Sequence, residues 1–224
     1  QALGLADQAA RDGDTVSYDL AAGFADAAPD SDLLSFSTTS PLPAGLSLSA
    51  AGVLSGTLDH LASDASPYLL TITATDAQGA SVRASFTLEV TNPAPVVAPG
   101  GIADQEFVEG QSAITIDAGA VFSDADGSRT GADARDALRF DVTGLPAGLD
   151  FDPSTGVITG DLETIPNQNG VFTVTVTATD AQNASASTAF TLDIANVAPA
   201  IAADLRSEER RVGKECRSRR SPYH

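Results

Sequence analysis

Apolar and polar residues alternate with a period of two in several stretches of this chain. Residues 70–75 read Leu-Thr-Ile-Thr-Ala-Thr, and residues 174–179 read Val-Thr-Val-Thr-Ala-Thr. Because successive side chains of a β-strand point to opposite faces, this period predicts half-buried strands with threonine on the solvent side. Gly and Pro separate these stretches, and no segment shows the period of an amphipathic helix. The pattern predicts an all-β protein.

The chain also repeats itself. Three motifs occur twice in the same order, and the pairs are residues 42–46 with 145–149 (Leu-Pro-Ala-Gly-Leu), 73–78 with 177–182 (Thr-Ala-Thr-Asp-Ala-Gln), and 92–95 with 196–199 (Asn-x-Ala-Pro). The repeated unit is roughly 100 residues long, which is a common size for a β-sandwich. We therefore divide the chain into repeat 1, residues 1–92, and repeat 2, residues 93–196. Gly45 is predicted to adopt a positive φ in the first Leu-Pro-Ala-Gly-Leu turn.

This succession of motifs resembles the dystroglycan-type cadherin-like repeat, also described as an Ig-like domain of bacterial surface proteins. The resemblance covers nearly all of residues 1–200, in two copies. It implies two tandem cadherin-like/Ig-like Greek-key β-sandwich domains, each of about seven strands and strung head to tail. It also implies an extracellular or cell-surface location, a role in adhesion or as a rigid spacer, and no enzyme activity.

Charge limits the partners of the chain. Residues 1–205 contain 27 Asp or Glu against five Arg and no Lys, so this body repels nucleic acid and favours cations. It contains no Cys, and no apolar run is long enough to span a membrane. The expected partners are neighbouring repeats of the same chain and, beyond them, other cell-surface proteins or glycans.

Acidic residues gather in loops at the ends of the predicted strands. Asp124 and Asp126 flank one alanine, and Asp180 directly follows the strand at 174–179. Calcium takes about six to eight oxygen ligands from flexible loops of this kind. The sequence predicts calcium between the two repeats, held by some of Asp12, Asp59, Asn92, Asp124, Asp126 and Asp180.

The resemblance to cadherins supports this calcium site, but the linker of this chain departs from the cadherin pattern. Cadherins place acids at domain junctions, and Asp124 and Asp126 resemble their Asp-Ala-Asp element, as Asp180 resembles the Asp of their Ala-x-Asp strand end. Asp12 and Glu109 match the acid near each repeat start. The cadherin linker Asp-x-Asn-Asp-Asn is replaced here by Asn-Pro-Ala-Pro at residues 92–95, which keeps one ligand type. The alternative is that these Asp residues cap their own turns without metal.

Catalytic chemistry has little support. His60 is the single His of residues 1–205 and has no counterpart in repeat 2, so neither a Ser–His–Asp arrangement nor a zinc site is predicted. A second function, from a different class, is a carbohydrate-binding or accessory module of a larger secreted hydrolase. The scarcity of aromatic residues argues against sugar stacking.

Residues 206–224 break every trend above, since they hold the only Cys, the only Lys and most of the Arg. The segment resembles a translated short-read sequencing adapter, with Arg220 where the adapter encodes Trp. We expect it to be an artefact that is disordered and outside the fold. Residues 197–205 are expected to begin a truncated third repeat. The chain opens at Gln1 with no Met and no signal peptide, so we expect it to be an internal fragment.

Overall fold

The computed structural model describes residues 2–26, 33–126, 137–162 and 169–198, and the regular structure there is almost entirely β-strand. Three short 3₁₀ turns, at Ala21–Gly23, Ala62–Ala65 and Ala118–Val121, are the helical elements of this part of the chain. The all-β prediction is therefore confirmed.

Repeat 1 consists of two sheets in the strand order of a Greek-key sandwich. Its strands are β1 (Gln8–Arg11), β2 (Thr15–Asp19), β3 (Ser35–Thr38), β4 (Leu46–Leu48), β5 (Val53–Thr57), β6 (Tyr68–Thr75) and β7 (Ser81–Thr91). One sheet has the order β1-β7-β6-β3 and the other has the order β2-β5-β4. Strand β1 runs parallel to β7, whereas the other neighbours are antiparallel.

Repeat 2 has the same two sheets with an additional short pair. Its strands are β8 (Val96–Val97), β9 (Gln105–Val108), β10 (Ile114–Asp117), β11 (Phe122–Ser123), β12 (Arg139–Thr143), β13 (Leu149–Asp152), β14 (Val157–Gly160), β15 (Gly170–Thr179) and β16 (Ser185–Ala195). The sheets have the orders β9-β16-β15-β12 and β10-β14-β13, and β8 pairs with β11. The register of β9 beside β16 matches that of β1 beside β7, so the two repeats share one topology.

Each repeat has its own core, built from the predicted alternation. In β6 the side chains of Leu70, Ile72 and Ala74 are buried, and in β15 those of Val174, Val176 and Ala178 are buried, while the intervening threonines face outward. An edge-to-face phenylalanine pair packs in each core, Phe24 with Phe36 and Phe122 with Phe140. On the outer faces, Thr71 and Thr177 each pair with a serine hydroxyl of the next strand at 2.9 Å. The two cores are separate, so each repeat buries its own apolar surface.

The repeated Leu-Pro-Ala-Gly-Leu motif forms the predicted turn. Gly45 has φ +89°, and the N–H of Leu46 donates to the carbonyl of Pro43. A Cβ at Gly45 would lie 1.8 Å from the carbonyl oxygen of Thr57, so the turn needs glycine for close approach as well as for φ. This turn starts the β4–β5 hairpin and lies beside the end of β5, where the N–H of Asp59 donates to the carbonyl of Ala44 at 3.0 Å.

Residues 206–224, with their predicted artefact, lie outside the described residues. Most of the predicted third-repeat start does too, and only Val197 and Ala198 of it are described, both exposed. In the described part of the chain, no helix is long and apolar enough to cross a bilayer.

Candidate functional site at the junction between the repeats

The polar loops at one end of repeat 1 meet those at the opposite end of repeat 2. On the repeat 1 side, Asp12 follows β1 and Asp59 lies two residues beyond β5. On the repeat 2 side, Asp124 follows β11 and Asp180 follows β15. Asn92 follows β7 and begins the linker between them. The strand order therefore brings these residues together at the junction, although they are far apart in sequence.

Two side-chain amides connect the repeats directly. Asn92 Nδ2 donates to Asp180 Oδ2 at 2.8 Å. Gln182 Nε2 of repeat 2 donates to Asp12 Oδ2 at 3.0 Å and to Ser63 Oγ at 2.7 Å in repeat 1. Each amide gives its donor group to the opposite repeat, so the junction has specific contacts in both directions.

Backbones also approach closely here. A Cβ built on Gly13 of repeat 1 would lie 3.1 Å from the Cβ of Asp126 in repeat 2, and 3.7 Å from Nδ1 of His60. Gly13 has φ +74°, in the left-handed region, within the tight turn that follows β1. Glycine at this position allows the loop of Asp126 to pack against repeat 1.

Asp12 is almost fully buried, with 3% of its surface exposed, and its charge is well satisfied. Its Oδ1 accepts the backbone N–H of Ser63 at 2.8 Å. Its Oδ2 accepts the Ser63 hydroxyl and the Gln182 amide. Hydrogen bonds to a carboxylate are roughly twice as strong as neutral ones, so they offset the cost of burying the charge.

Asp180 combines the two roles that the sequence left open. Its Oδ1 accepts the N–H groups of Gln182 and Ala184 at 2.9 and 2.8 Å, which caps its own turn. Its Oδ2 accepts the amide of Asn92 across the junction. Local caps of the same kind occur at Asp59, whose Oδ1 accepts Leu61 N–H, and at Asp124, whose Oδ1 accepts Ala125 N–H.

Charge is concentrated on both sides of this contact. Burial raises the pKa of Asp124, and the Asp180 carboxylate raises it further, while hydrogen bonds from Asp126 and Ala125 act in the opposite direction. Burial also raises the pKa of Tyr68 near the end of repeat 1, and the negative charges of Asp12, Asp64 and Asp59 add to that effect. The junction is therefore a region of negative potential that disfavours further negative charge.

Several junction atoms are buried without a hydrogen-bond partner among the described residues. Three of them are oxygens, Asn92 Oδ1, Asp124 Oδ2 and Gln182 Oε1, and one is His60 Nδ1. Buried oxygens without a donor are costly unless water or a cation satisfies them. Calcium prefers oxygen ligands, so the three oxygens are compatible with calcium, whereas the nitrogen of His60 is not a ligand of that kind.

The side chains of the described residues do not form a complete metal centre. Within residues 2–26, 33–126, 137–162 and 169–198, no group of three or more His, Asp or Glu side chains is arranged to hold a metal ion. The six residues that the sequence proposed as ligands nevertheless lie at the ends of the repeats that face each other. Asp12, Asp180 and Asp126 are the three buried charged residues of the described chain, each about 4% exposed or less.

Sequence reasoning did not assign Gln182, Ser63 or His60 to the junction, and it considered His60 only as a catalytic or zinc-binding candidate. Gln182 does lie inside the repeated Thr-Ala-Thr-Asp-Ala-Gln motif, which was a usable signal. Ser63 and His60 occupy the segment after β5, where the sequence shows no recognisable repetition. Their placement depends on how repeat 2 packs against repeat 1.

The fold and the junction define a tandem Ig-like β-sandwich protein with an acidic contact between its repeats. The model of the family described as "Putative Ig domain" matches residues 3–91 and 94–195, so the chain belongs to that family in two copies.

The chain is similar to curated staphylococcal proteins that are named as adhesins. The chain is 30% identical over 159 residues to the "Serine-rich adhesin for platelets" of Staphylococcus aureus strain MRSA252, a match that covers 70% of this chain and 10% of the relative. The corresponding protein of strain MSSA476 is also 30% identical, with 6% of its length covered. This chain spans a tenth or less of the length of these relatives.

Solved structures with a similar arrangement come from several classes of protein. Protocadherin gamma B2 extracellular cadherin domains 3–6 have a TM-score of 0.39 at 16% identity, with 87% of this chain and 51% of that chain covered. The titin domains z1z2 in complex with telethonin have a TM-score of 0.45 at 12% identity, covering 87% and 95%. An endo-fucoidan hydrolase of glycoside hydrolase family 107 has a TM-score of 0.38 at 19% identity, covering 88% and 28%.

Proposed function

We propose that this chain is a stiff spacer or adhesive arm of a secreted or cell-surface bacterial protein, and that calcium orders the junction between its repeats. The observation that carries the proposal is the junction itself. Two amides cross it in opposite directions and end on the buried carboxylates of Asp12 and Asp180. Such contacts favour one orientation of the two sandwiches, which is what a spacer needs to transmit force or hold a distance.

The family and the relatives named as adhesins support the adhesive side of this proposal. A relative named as an adhesin contains a segment 30% identical to this chain. The acidic body has no feature of a nucleic-acid-binding protein, since residues 1–205 contain 27 acidic residues and five Arg. We assign the partners to neighbouring repeats and to surface proteins or glycans.

A non-enzymatic module agrees with the site chemistry. The exposed large apolar side chains of the described residues are Leu and Val, without an aromatic among them. A sugar-binding platform uses exposed aromatic rings, so the accessory-module alternative gains no support from this surface. His60 lies at the junction instead of in a cleft with an oriented nucleophile.

Calcium would supply positive charge where several carboxylates meet. Asp12, Asp59 and Asn92 of repeat 1 would hold it together with Asp124, Asp126 and Asp180 of repeat 2. Asp124 illustrates the need, because burial and the neighbouring Asp180 charge both raise its pKa and thereby disfavour its ionised form. A cation would reverse that preference, since it stabilises the ionised carboxylate.

The test compares the whole chain in calcium and in chelator by small-angle scattering and by thermal unfolding. We expect calcium to raise the melting temperature and to narrow the distribution of shapes toward a straighter rod. The double variant Asp124→Ala with Asp126→Ala should lose this response. Asp26→Ala is the matched control, because Asp26 follows Phe24 of repeat 1 as Asp124 follows Phe122, but at the end that does not face repeat 2.

Identical shapes and melting temperatures with and without calcium would contradict the calcium part of the proposal. The spacer part would then rest on the direct contacts alone, and flexible scattering under both conditions would contradict that part too. Magnesium is a useful second control, because it dehydrates reluctantly and prefers strict octahedral geometry.

A further inference from the structure

The turn that docks repeat 2 onto repeat 1 occurs a second time in the chain. Asp76-Ala77-Gln78 follows β6 as Asp180-Ala181-Gln182 follows β15. Asp76 Oδ1 accepts the N–H groups of Gln78 and Ala80 at 2.9 and 2.8 Å. Asp180 Oδ1 accepts the corresponding N–H groups at the same distances. The two turns therefore have the same sequence and the same internal hydrogen bonds.

Their surroundings differ. Asp180 is 4% exposed and Gln182 is half-buried, because Asp12, Ser63 and Asn92 of repeat 1 cover them. Gln78 is exposed, and its turn lies at the end of repeat 1 that faces away from the junction. The first turn thus presents the same docking groups to solvent.

The surface of repeat 1 that contacts the Asp180-Ala181-Gln182 turn is formed by Asp12, Ser63 and Asn92 and is here called the receiving surface. It has a counterpart in repeat 2. After β1, Asp12 and Gly13 form a tight turn in which the N–H of Asp14 donates to the carbonyl of Arg11 at 3.1 Å. After β9, the N–H of Gln111 donates to the carbonyl of Val108 at 3.2 Å. Glu109 therefore occupies in repeat 2 the position that Asp12 occupies in repeat 1.

The backbone around these acids agrees in detail. The N–H of Asp12 donates to the carbonyl of Thr91, and the N–H of Glu109 donates to that of Ala195, at 3.1 and 2.9 Å. Asn92 follows Thr91 as Asn196 follows Ala195. An acid and an asparagine are consequently held side by side at the far end of repeat 2, as they are at the junction.

This second receiving surface has an incomplete set of hydrogen bonds in the described structure. Glu109 Oε1 is buried and accepts none from the described residues, whereas both oxygens of Asp12 are used. Asn196 is exposed. Within the described residues, Glu109 Oε1 lacks a donor and the exposed amide of Asn196 is available to an acceptor, and the Asp-Ala-Gln turn carries both an amide and a carboxylate.

We infer that the end of repeat 2 formed by Glu109 and Asn196 is a docking surface for the Asp76-Ala77-Gln78 turn of a second copy of this chain, so that copies associate end to end. Gln78 of one copy donates to Glu109 of the next, and Asn196 donates to Asp76. The contact continues the geometry of the internal junction and does not depend on calcium. It joins chains without a tether, so it is weak, with a dissociation constant on the order of 1 mM.

The experiment follows backbone amide NMR signals of the whole chain over a dilution series, with sedimentation equilibrium as a measure of mass. We expect concentration-dependent shifts at Asp76, Gln78, Glu109 and Asn196, and a rising average mass. Gln78→Ala and Glu109→Ala should each abolish the association. Glu106→Ala, which removes an exposed acid from the same strand β9, should leave it unchanged.

Mixing the two variants gives the sharper test. Chains with Gln78→Ala retain the Glu109 surface, and chains with Glu109→Ala retain the Gln78 turn, so the mixture should form a heterodimer and stop there. The inference is overturned if the wild-type chain shows no concentration dependence, if either variant alone still associates, or if the mixture stays monomeric. Unchanged circular dichroism and melting of each variant establish that loss of association is not loss of fold.

Discussion

Asp124 and Asp152 belong to the same repeat and both accept hydrogen bonds in their own loops, yet their pKa values move in opposite directions. Asp152 is exposed in the β13–β14 turn, and hydrogen bonds from Ser154 and Thr155 lower its pKa. Asp124 is half-buried at the junction, and burial and the charge of Asp180 raise its pKa. The ionised form of Asp152 is therefore stabilised, whereas the ionised form of Asp124 is disfavoured.

The difference shows that the acidic composition of this chain combines two kinds of carboxylate. Exposed acids such as Asp152 organise turns and keep the surface charged. Junction acids lie where two repeats remove water, so they depend on partners from the other repeat. Substitutions that change one kind and spare the other can therefore test which contacts hold the repeats together.

Asp12→Ala should have the largest effect, because Asp12 is a junction acid with both oxygens engaged. The substitution leaves the Ser63 N–H, the Ser63 hydroxyl and the Gln182 amide without their acceptor. We expect a loss of about 2–4 kcal/mol in the free energy of unfolding, from charge-assisted bonds and buried donors. Calorimetry should also show the two repeats unfolding more independently.

The matched control for that change is Glu109→Ala at low protein concentration. Glu109 occupies the equivalent turn, but no described residue of another repeat hydrogen-bonds to Oε1. Glu109→Ala should lower the free energy of unfolding by well under half as much as Asp12→Ala does. Equal losses for the two variants would mean that the turn itself, and not the junction, determines the stability.

Gln182→Ala should come next, because it removes the amide that reaches both Asp12 and Ser63. The expected cost is about 1–2 kcal/mol, and Gln78→Ala in the identical exposed turn should cost about zero in the monomer. Thermal unfolding at low concentration measures both. If the two substitutions have the same effect, the cross-repeat contact does not contribute.

Asp124→Asn should have a smaller effect on stability, and in chelator at neutral pH we expect it to stabilise the protein. Burial raises the folded pKa above its unfolded value, so the contribution of Asp124 to stability is present below the unfolded pKa and is lost as pH rises through the folded one. At neutral pH in chelator, removing the charge should therefore raise the melting temperature. The gain should disappear at acidic pH, where the wild-type carboxyl is already neutral.

Calcium should reverse that sign if the proposed site exists, because the neutral amide cannot supply the negative charge of the carboxylate. Melting of Asp124→Asn and wild type from acidic to neutral pH, with calcium and with chelator, gives the four necessary curves. If Asp124 acts only as a turn cap, we expect a different result. Asp124 would then stabilise the fold through Ala125 N–H, and the variant would melt lower at neutral pH under both conditions.

The fold could be predicted almost entirely from local patterns. Alternation in β6 and β15, the glycine of Leu-Pro-Ala-Gly-Leu and the internal repetition are all local or repeated signals. Each depends on side-chain direction or on φ, and both are determined within a few residues. The same signals place Asp12, Asn92 and Asp180 at strand ends, so the location of the acidic cluster was accessible as well.

The contacts of Gln182 could not be predicted in this way. Its turn is identical to that of Gln78, and the two differ in what packs against them. Whether an amide meets Asp12 depends on the rotation of one sandwich relative to the other, and periodicity within a strand carries no information about it. The sequence also cannot distinguish a turn cap from an interdomain acceptor, and Asp180 is both.

Asp152→Asn should have the smallest effect, and it tests the other half of the comparison. Hydrogen bonds lower the folded pKa of Asp152, so its contribution is present above the unfolded pKa and is lost as pH falls through the folded value. The variant should melt slightly lower at neutral pH, with repeat 2 affected and repeat 1 unchanged, and the difference should vanish in strong acid. Ser49 holds the equivalent β4–β5 turn by accepting Val53 N–H at 3.0 Å, and a hydroxyl does not titrate in this range. Ser49→Ala should therefore shift the melting of repeat 1 by the same amount at every pH, and a pH-dependent shift there would show that the acid response does not originate in the turn carboxylate.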